Sequence, residues 1–350
     1  MEKYDAIIIG AGPNGLTLAN YLIGSGAKVL IVERRFEVGG NLITEDFGGA
    51  RYNLHSLYML LGSEMPPYQD FGLEQRGCLF VEPEAQATVH TSNTKTLTMY
   101  RQKELSLKSI ERVSSKDSRK FQDLFDDLTA LKNEIMLPWM YNPLLGPHEY
   151  HQWLEKSSRG HLANQLSEMS PKQILTELYA IESEPLRILL LSLGCIWTIN
   201  PQDEKSGLMF AFLLYGMLNA SLIRGGSYLL ASNLYKRFIS SGGDILDGRE
   251  ASKIIVENGL AKGVVLNDGR KLESKSVVST IDIPTTFGKL LDPSSLLDDR
   301  ISEIVKAQAW GLWSLFQANW TLKNRPDFRS SSVESRVNDS LIHVVGYETS

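Results

Sequence analysis

Ten residues in, a run of closely spaced glycines leaves this chain few choices of fold. Tyr4 to Ile9 is a short, β-branched apolar run that ends at Gly10, as a fully buried parallel strand does. Gly10-Ala11-Gly12-Pro13-Asn14-Gly15 then reads GxGxxG, and from Pro13 onward Leu16, Ala19, Leu22 and Ile23 recur at helical spacing. Gly24 and Gly26 supply a left-handed stop, and Lys28 to Val32 is a second buried strand. A strand, a crossover helix and a strand thus fit within the first 32 residues, with a right-handed crossover expected.

In that setting the glycines have separate tasks. Gly10 permits the tight turn, Gly12 lets a pyrophosphate approach the backbone at the helix start, and Gly15 lets helix and strand pack closely. Glu33 ends the second strand, 18 residues past Gly15, where an acid accepts hydrogen bonds from ribose hydroxyls and disfavours a 2′-phosphate. The unit is read as the binder of the ADP half of a dinucleotide. Beyond it, Arg35 carries charge toward a diphosphate and the Gly39-Gly40 pair lets the chain fold back beneath one, with an ordinary glycine turn as the equal alternative.

After Tyr52 the pattern changes. Thr88 to Leu105 alternates weakly and reads as strands; Ser115 to Met136 reads as an amphipathic helix capped by Ser115, with Phe121, Leu124, Phe125, Leu128 and Leu131 on one stripe and Asp123, Asp126 and Asp127 mostly in solvent. Helical patterns run on to Ile223, broken by loops at Pro143 to Pro147 and Asn200 to Ser206. Leu229, Leu230, Leu234 and Phe238 mark a further helix stopped by Gly242-Gly243. Ala251 to Val256, Ala261 to Leu266 and Ser276 to Thr280 form a small β-meander, turned at Glu257-Asn258-Gly259 and Asn267-Asp268-Gly269.

Composition narrows the function. A net charge of −5 without a long basic run argues against nucleic acid as a partner. Only Cys78 and Cys195 are present, far apart, which fits a reducing, cytoplasmic setting and supports neither a disulfide framework nor a thiolate metal cluster. The first strand leaves no room for a signal peptide ahead of it. Leu186 to Ile199 and Gly207 to Ile223 are too short for a comfortable bilayer span and read as buried helices, with peripheral membrane contact left open. His148 and His151 form an HxxH with no third ligand in view, so no metal is expected and a solvated loop is the reading. No GxSxG elbow supports a nucleophilic serine.

Glu33-Arg34-Arg35-Phe36-Glu37-Val38-Gly39-Gly40 resembles the second FAD signature of the amine oxidase and phytoene desaturase superfamily. Ala11 to Leu16, Gly49 to Ser56, Ser114 to Leu128 and Gly225-Gly226 through Leu290, with Val277-Val278-Ser279-Thr280-Ile281-Asp282, resemble its phytoene dehydrogenase-like branch. The resemblance implies FAD as cofactor, held by Gly10, Gly12, Pro13, Asn14, Gly15, Glu33, Arg34, Arg35, Gly39, Gly40, Asn41 and Thr280, with Ala251 offering backbone contacts to the adenine. Two positions depart from the family. Asn41 stands where arginine is common after the Gly-Gly pair, and His55 stands where a small glycine is common near the flavin ring; His55 is read first as a hydrogen-bonded structural histidine and, as the alternative, as a group that orients substrate or exchanges a proton.

The expected fold is α/β, a Rossmann-like FAD-binding domain with a discontinuous α+β substrate domain. Its parts are residues 1–75 and 224–292 for FAD, 76–223 for a largely helical substrate domain, and 293–350 for a return to the latter. The implied activity is FAD-dependent hydride transfer on a lipophilic, isoprenoid- or carotenoid-like substrate, as desaturation, saturation or isomerisation. A flavin amine oxidase and a non-enzymatic escort of prenylated proteins are the alternatives. Trp310, Trp313 and Trp320 are read as core or pocket lining. The family's late glycine-rich strand-to-helix turn has no counterpart after Ile301, and Leu341 to Ser350 resembles the start of a strand and loop, so the chain is expected to be part of a longer protein.

Overall fold

A computed structural model describes residues 3–91, 96–143, 145–196, 199–292, 299–307, 317–324, 326–328 and 336–345. In chain order it begins with β1 (Lys3–Ile9), α1 (Pro13–Gly24), β2 (Val29–Val32), β3 (Thr44–Phe47), β4 (Ala50–Asn53) and α2 (Pro66–Asp70). There follow β5 (Phe80–Val81), β6 (Ala85–His90), β7 (Thr96–Tyr100), α3 (Lys103–Glu111), α4 (Ser115–Leu131), α5 (Leu137–Tyr141), α6 (Pro147–Glu155), α7 (Gly160–Glu168), α8 (Pro171–Gln173), α9 (Glu184–Gly194) and α10 (Gly207–Leu218). Last come β8 (Leu222–Ile223), α11 (Tyr228–Ser240), β9 (Asp244–Leu246), β10 (Ala251–Glu257), β11 (Leu260–Leu266), β12 (Lys271–Ser279), α12 (Ile283–Thr285), α13 (Asp299–Ala307) and β13 (Ile342–Val344). The chain divides into two compact units: Met1–Leu57, Pro67–Leu79 and Ile223–Asn319 form one, and Tyr58–Pro66, Phe80–Leu222 and Trp320–Ser350 the other.

The first unit is built on a six-stranded sheet in the order β10-β11-β12-β1-β2-β9. β1 sits inside it, parallel to both β2 and β12, and Ile7, Ile8 and Ile31 are fully buried, as strands covered on both faces require. α1 packs beside α11, where the buried Asn20 donates from Nδ2 to the Leu234 carbonyl at 2.9 Å. The late strands form the expected meander, and it joins the main sheet: β10, β11 and β12 are antiparallel to one another, and β12 runs parallel to β1. β12 starts at Lys271, five residues earlier than expected, because the tight turn at Asn267-Asp268-Gly269 leads straight back into pairing with β11. At the other hairpin Asn258 and Gly259 have φ of 53° and 74°, the two left-handed positions of a two-residue turn. Three-residue β9 shows no periodicity of its own and is defined by pairing parallel to β2.

The second unit packs helices on a three-stranded sheet, β13-β6-β7. Ala87, Val89, Leu97 and Met99 join the core formed by Phe121, Leu124, Leu128 and Leu131 of α4, Leu186, Leu189 and Leu190 of α9, and Phe210 and Leu214 of α10. Thr88 to Leu105 is not all strand: after β7 the chain enters α3, whose Ser106 and Ser109 accept hydrogen bonds from the backbone N–H groups of Tyr100 and Thr98 at 2.8 and 2.9 Å. Those hydroxyls stand in for a neighbouring strand at the β7 edge. The cap of α4 is Ser114 rather than Ser115, its Oγ accepting from Asp117 N–H at 3.4 Å. Residues 132–136 continue α4 as a wider turn. β13 pairs parallel with β6, so the segment near Leu341 has a neighbour after all. Among the described residues no helix is long and apolar enough to cross a membrane. Trp320 is 81% exposed, not core, and Trp310 and Trp313 lie outside the described residues.

Candidate functional site

Gly10 closes β1 at a φ of 102°, donating from its N–H to the Val32 carbonyl at 2.9 Å, so the turn is fixed at the mouth of the β1–β2 pair. Thr280 fastens it from the other side: its N–H reaches the Ile9 carbonyl at 3.0 Å, and Oγ1 donates to the Ile9 and Gly10 carbonyls at 3.0 and 3.3 Å. A Cβ on Gly15 would stand 2.0 Å from the Gly10 carbonyl oxygen, so that glycine is demanded by packing. Gly12 is different. Its φ of −73° and ψ of 179° suit any residue, and a Cβ there would meet nothing nearer than Gly40 Cα at 3.8 Å. The space over Gly12 is therefore open. The first helical hydrogen bond of α1 runs from Leu16 N–H to the Gly12 carbonyl at 2.9 Å, so the amides preceding Leu16 face out of the helix start, where an anion is favoured.

Glu33 is 8% exposed and already engaged: Oε2 accepts from Ala11 N–H at 2.7 Å and Oε1 from Arg35 N–H at 2.9 Å. It ties the glycine loop to the end of β2, and each oxygen keeps a lone pair for a further donor. The backbone N–H groups of Arg249 and Gly248 donate to the carbonyls of Glu33 and Arg35, each at 3.0 Å, which lays Glu250 and Ala251 alongside. Below the loop, Gly39 N–H donates to the Ala11 carbonyl at 2.8 Å, and Gly40, at a φ of 57°, passes so close that a Cβ on it would lie 3.0 Å from Gly12 Cα.

These elements enclose a cavity of about 460 Å³, within the range of small-ligand pockets. Gly10, Gly12, Pro13, Asn14, Glu33, Arg34, Arg35, Gly40, Asn41, Ala251 and Thr280 all line it. Gly15 and Gly39 do not line it. Arg35 Nη1 lies 3.4 Å from the Gly40 carbonyl, so its guanidinium bends over the glycine pair. His55 is exposed and does not line the cavity.

Sequence reasoning missed Glu250, Ile281, Asp282, Thr285 and Leu290 as lining residues. The signal was adjacency: Glu250 precedes Ala251, and the others follow Thr280. Asp282 caps α12 by accepting from Thr285 N–H at 2.8 Å; burial works against its ionisation, but the hydrogen bonds from Thr285 outweigh it and hold the carboxyl below the ordinary value. The HxxH pair lies on α6, not in a loop, where His148 sits 3.1 Å from Gln152 and His151 3.2 Å from Glu155 on the next turn. No cluster of three or more metal-ligating side chains occurs among the described residues.

The cavity has the parts a dinucleotide needs: an open position over a glycine at a helix start, a carboxylate at the end of the second strand, and two guanidinium groups. Among known proteins, a limonene dehydrogenase subunit of Castellaniella defragrans is 34% identical over the whole chain, which spans 65% of that protein. Phytoene desaturase of Cercospora nicotianae is 27% identical over 83% of the chain and prolycopene isomerase of Daucus carota 24% over 84%, the chain spanning about half of each. An oxidoreductase from Methanosarcina mazei (TM-score 0.59, 18% identity, 86% of this chain and 65% of that one) and putrescine oxidase bound to putrescine (0.59, 18%, 89% and 65%) share the fold. The flavin containing amine oxidoreductase family matches residues 14–323, from just past Gly12 into the last part of the helical unit, ahead of β13. The chain belongs to that family of FAD-dependent oxidoreductases.

Proposed function

We propose that the protein oxidises, reduces or isomerises a lipophilic, isoprenoid-like hydrocarbon at the flavin, with desaturation the first choice. The observation that carries this reading is the 34% identity along the entire chain to a subunit of limonene dehydrogenase, an enzyme named for a monoterpene, beside more distant relatives named for carotenoids. The likeness to putrescine oxidase, at 18% identity, extends to the fold alone.

When bound, the isoalloxazine supplies the hydride chemistry. The chain's residues hold and orient the cofactor. The amides at the start of α1 and the open backbone of Gly12 receive the diphosphate, with Arg34 and Arg35 offsetting its charge in place of the arginine that Asn41 replaces. Glu33 accepts from ribose hydroxyls with the lone pairs its two backbone donors leave unused. Thr280 keeps the glycine loop fixed, and Ala251 leaves room for the base. Substrates of this kind dissolve in membranes, and delivery from a lipid surface belongs to the proposal.

Anaerobic mixing of the flavoprotein with monoterpene and longer isoprenoid hydrocarbons, followed by the visible spectrum, tests the reading. Bleaching by hydrocarbons and none by diamines is the expected result. Bleaching by diamines alone would replace the proposal with an amine oxidase.

A further inference from the structure

The groups that line the cavity would divide a bound FAD among them. The α1 start and Gly12 would take the diphosphate and Glu33 the ribose, which leaves Glu250 and Ala251 to face the base. That segment is held there by the two backbone hydrogen bonds from Arg249 and Gly248 to Glu33 and Arg35. Ala251 is 5% exposed, opens β10 at a register shift and lines the cavity with a small side chain. Both oxygens of Glu33 are partly occupied by backbone donors. Glu250 also lines the cavity, and among the described residues no hydrogen bond or ion pair engages its carboxylate; neighbouring Arg249 turns instead to Asp268, 3.3 Å away.

Resting on the FAD reading of this cavity, we infer that Glu250 is a specificity-determining residue that reads the 6-amino group of adenine. An ionised carboxylate only accepts hydrogen bonds, and the exocyclic amino group of adenine only donates them. Glu250 lines the cavity directly before Ala251, the residue that would lie against the base. Its own backbone carbonyl accepts from Asn267 N–H at 2.8 Å, which anchors the residue independently of its side chain.

The test titrates the full chain with FAD and with the FAD analogue in which hydrogen replaces the 6-amino group, following flavin fluorescence, for the wild type, Glu250→Gln and Glu250→Leu. The wild type should prefer FAD by about tenfold, as expected for one hydrogen bond to a charged group at a partly exposed site. Glu250→Gln keeps a neutral acceptor and should retain a preference of roughly threefold; Glu250→Leu should bind both ligands alike. Glu250 is exposed, so unchanged thermal melting accompanies both variants. An equal preference in all three proteins overturns the inference while leaving the FAD site standing. Failure of the wild type to take up either dinucleotide overturns the site and the inference together.

Discussion

Replacing Gly12 with valine separates a glycine kept for a ligand from one kept for the fold. In the free protein the substitution is mild. The backbone at position 12 is extended, and the nearest atom to a new Cβ is Gly40 Cα at 3.8 Å, an ordinary contact. The main cost is a poorer N-cap for α1, about 1 kcal/mol or less. In the complex the added methyl groups occupy the space a diphosphate must enter. Overpacking costs about 1–3 kcal/mol, which at 1.4 kcal/mol per decade is a loss of roughly 5- to 150-fold in FAD affinity. Gly15→Ala should do the opposite, because its Cβ would lie 2.0 Å from the Gly10 carbonyl oxygen and the β1–α1 junction must open before any ligand arrives. Isothermal titration with FAD and thermal melting of both variants provide the assay. A Gly12→Val protein that melts like the wild type and binds FAD with unchanged affinity would refute the placement of the diphosphate.

Asp117 is fully buried and accepts from Glu182 and Ser183 N–H at 3.0 and 2.6 Å, so Asp117→Ala should destabilise the helical unit by about 2–3 kcal/mol, read by urea unfolding. His90 Nε2 lies 3.0 Å from His343 Nδ1, and burial lowers the pKa of both, with the neighbouring charge adding to the effect at His343. Their neutral forms are the folded ones, so stability is complete above about 6.5 and falls as the pH drops below it; melting at pH 7.5 and 5.5 should show the loss, and His343→Gln should shrink it. His55→Ala should leave FAD affinity unchanged within about twofold, because the side chain is exposed and outside the cavity; a larger change in a binding titration would bring His55 back to the cofactor. Liposomes should raise turnover of hydrocarbon substrates, and identical rates with and without lipid would count against membrane delivery.

The nucleotide half of the site was legible because each residue type there answers a local demand. Gly10, Gly12, Gly15 and Glu33 sit at fixed offsets set by one turn and two strands, and all but Gly15 reach the cavity itself. The double duty of Glu33 was not legible, since its bonds to Ala11 and Arg35 depend on how tightly the loop folds back. Short elements were lost for the same reason: β9 exists only as a partner of β2, and β13 only as a partner of β6. The β7–α3 boundary was missed because Leu105 continues an apolar alternation, while the cue that breaks it, a pair of serines one helical turn apart, acts on the strand edge rather than on its own periodicity. The role of His55 comes from its position in a resemblance, near the flavin ring, and the side chain lies exposed outside the nucleotide cavity.

The place of β1 between β2 and β12 has a consequence for synthesis. Its second partner begins at Lys271, about 260 residues after Ile9 has left the ribosome. At roughly 5–20 residues per second the wait is about 13–50 s, during which one flank of an Ile-rich strand has nothing to pair with. The segment from Phe80 to Leu222, which holds the helices of the second unit, is translated within that interval, while β13 of the same unit follows later still. β1 thus waits for β12 to be enclosed, and the nascent chain should be most exposed to chaperones and proteases before residue 280 emerges.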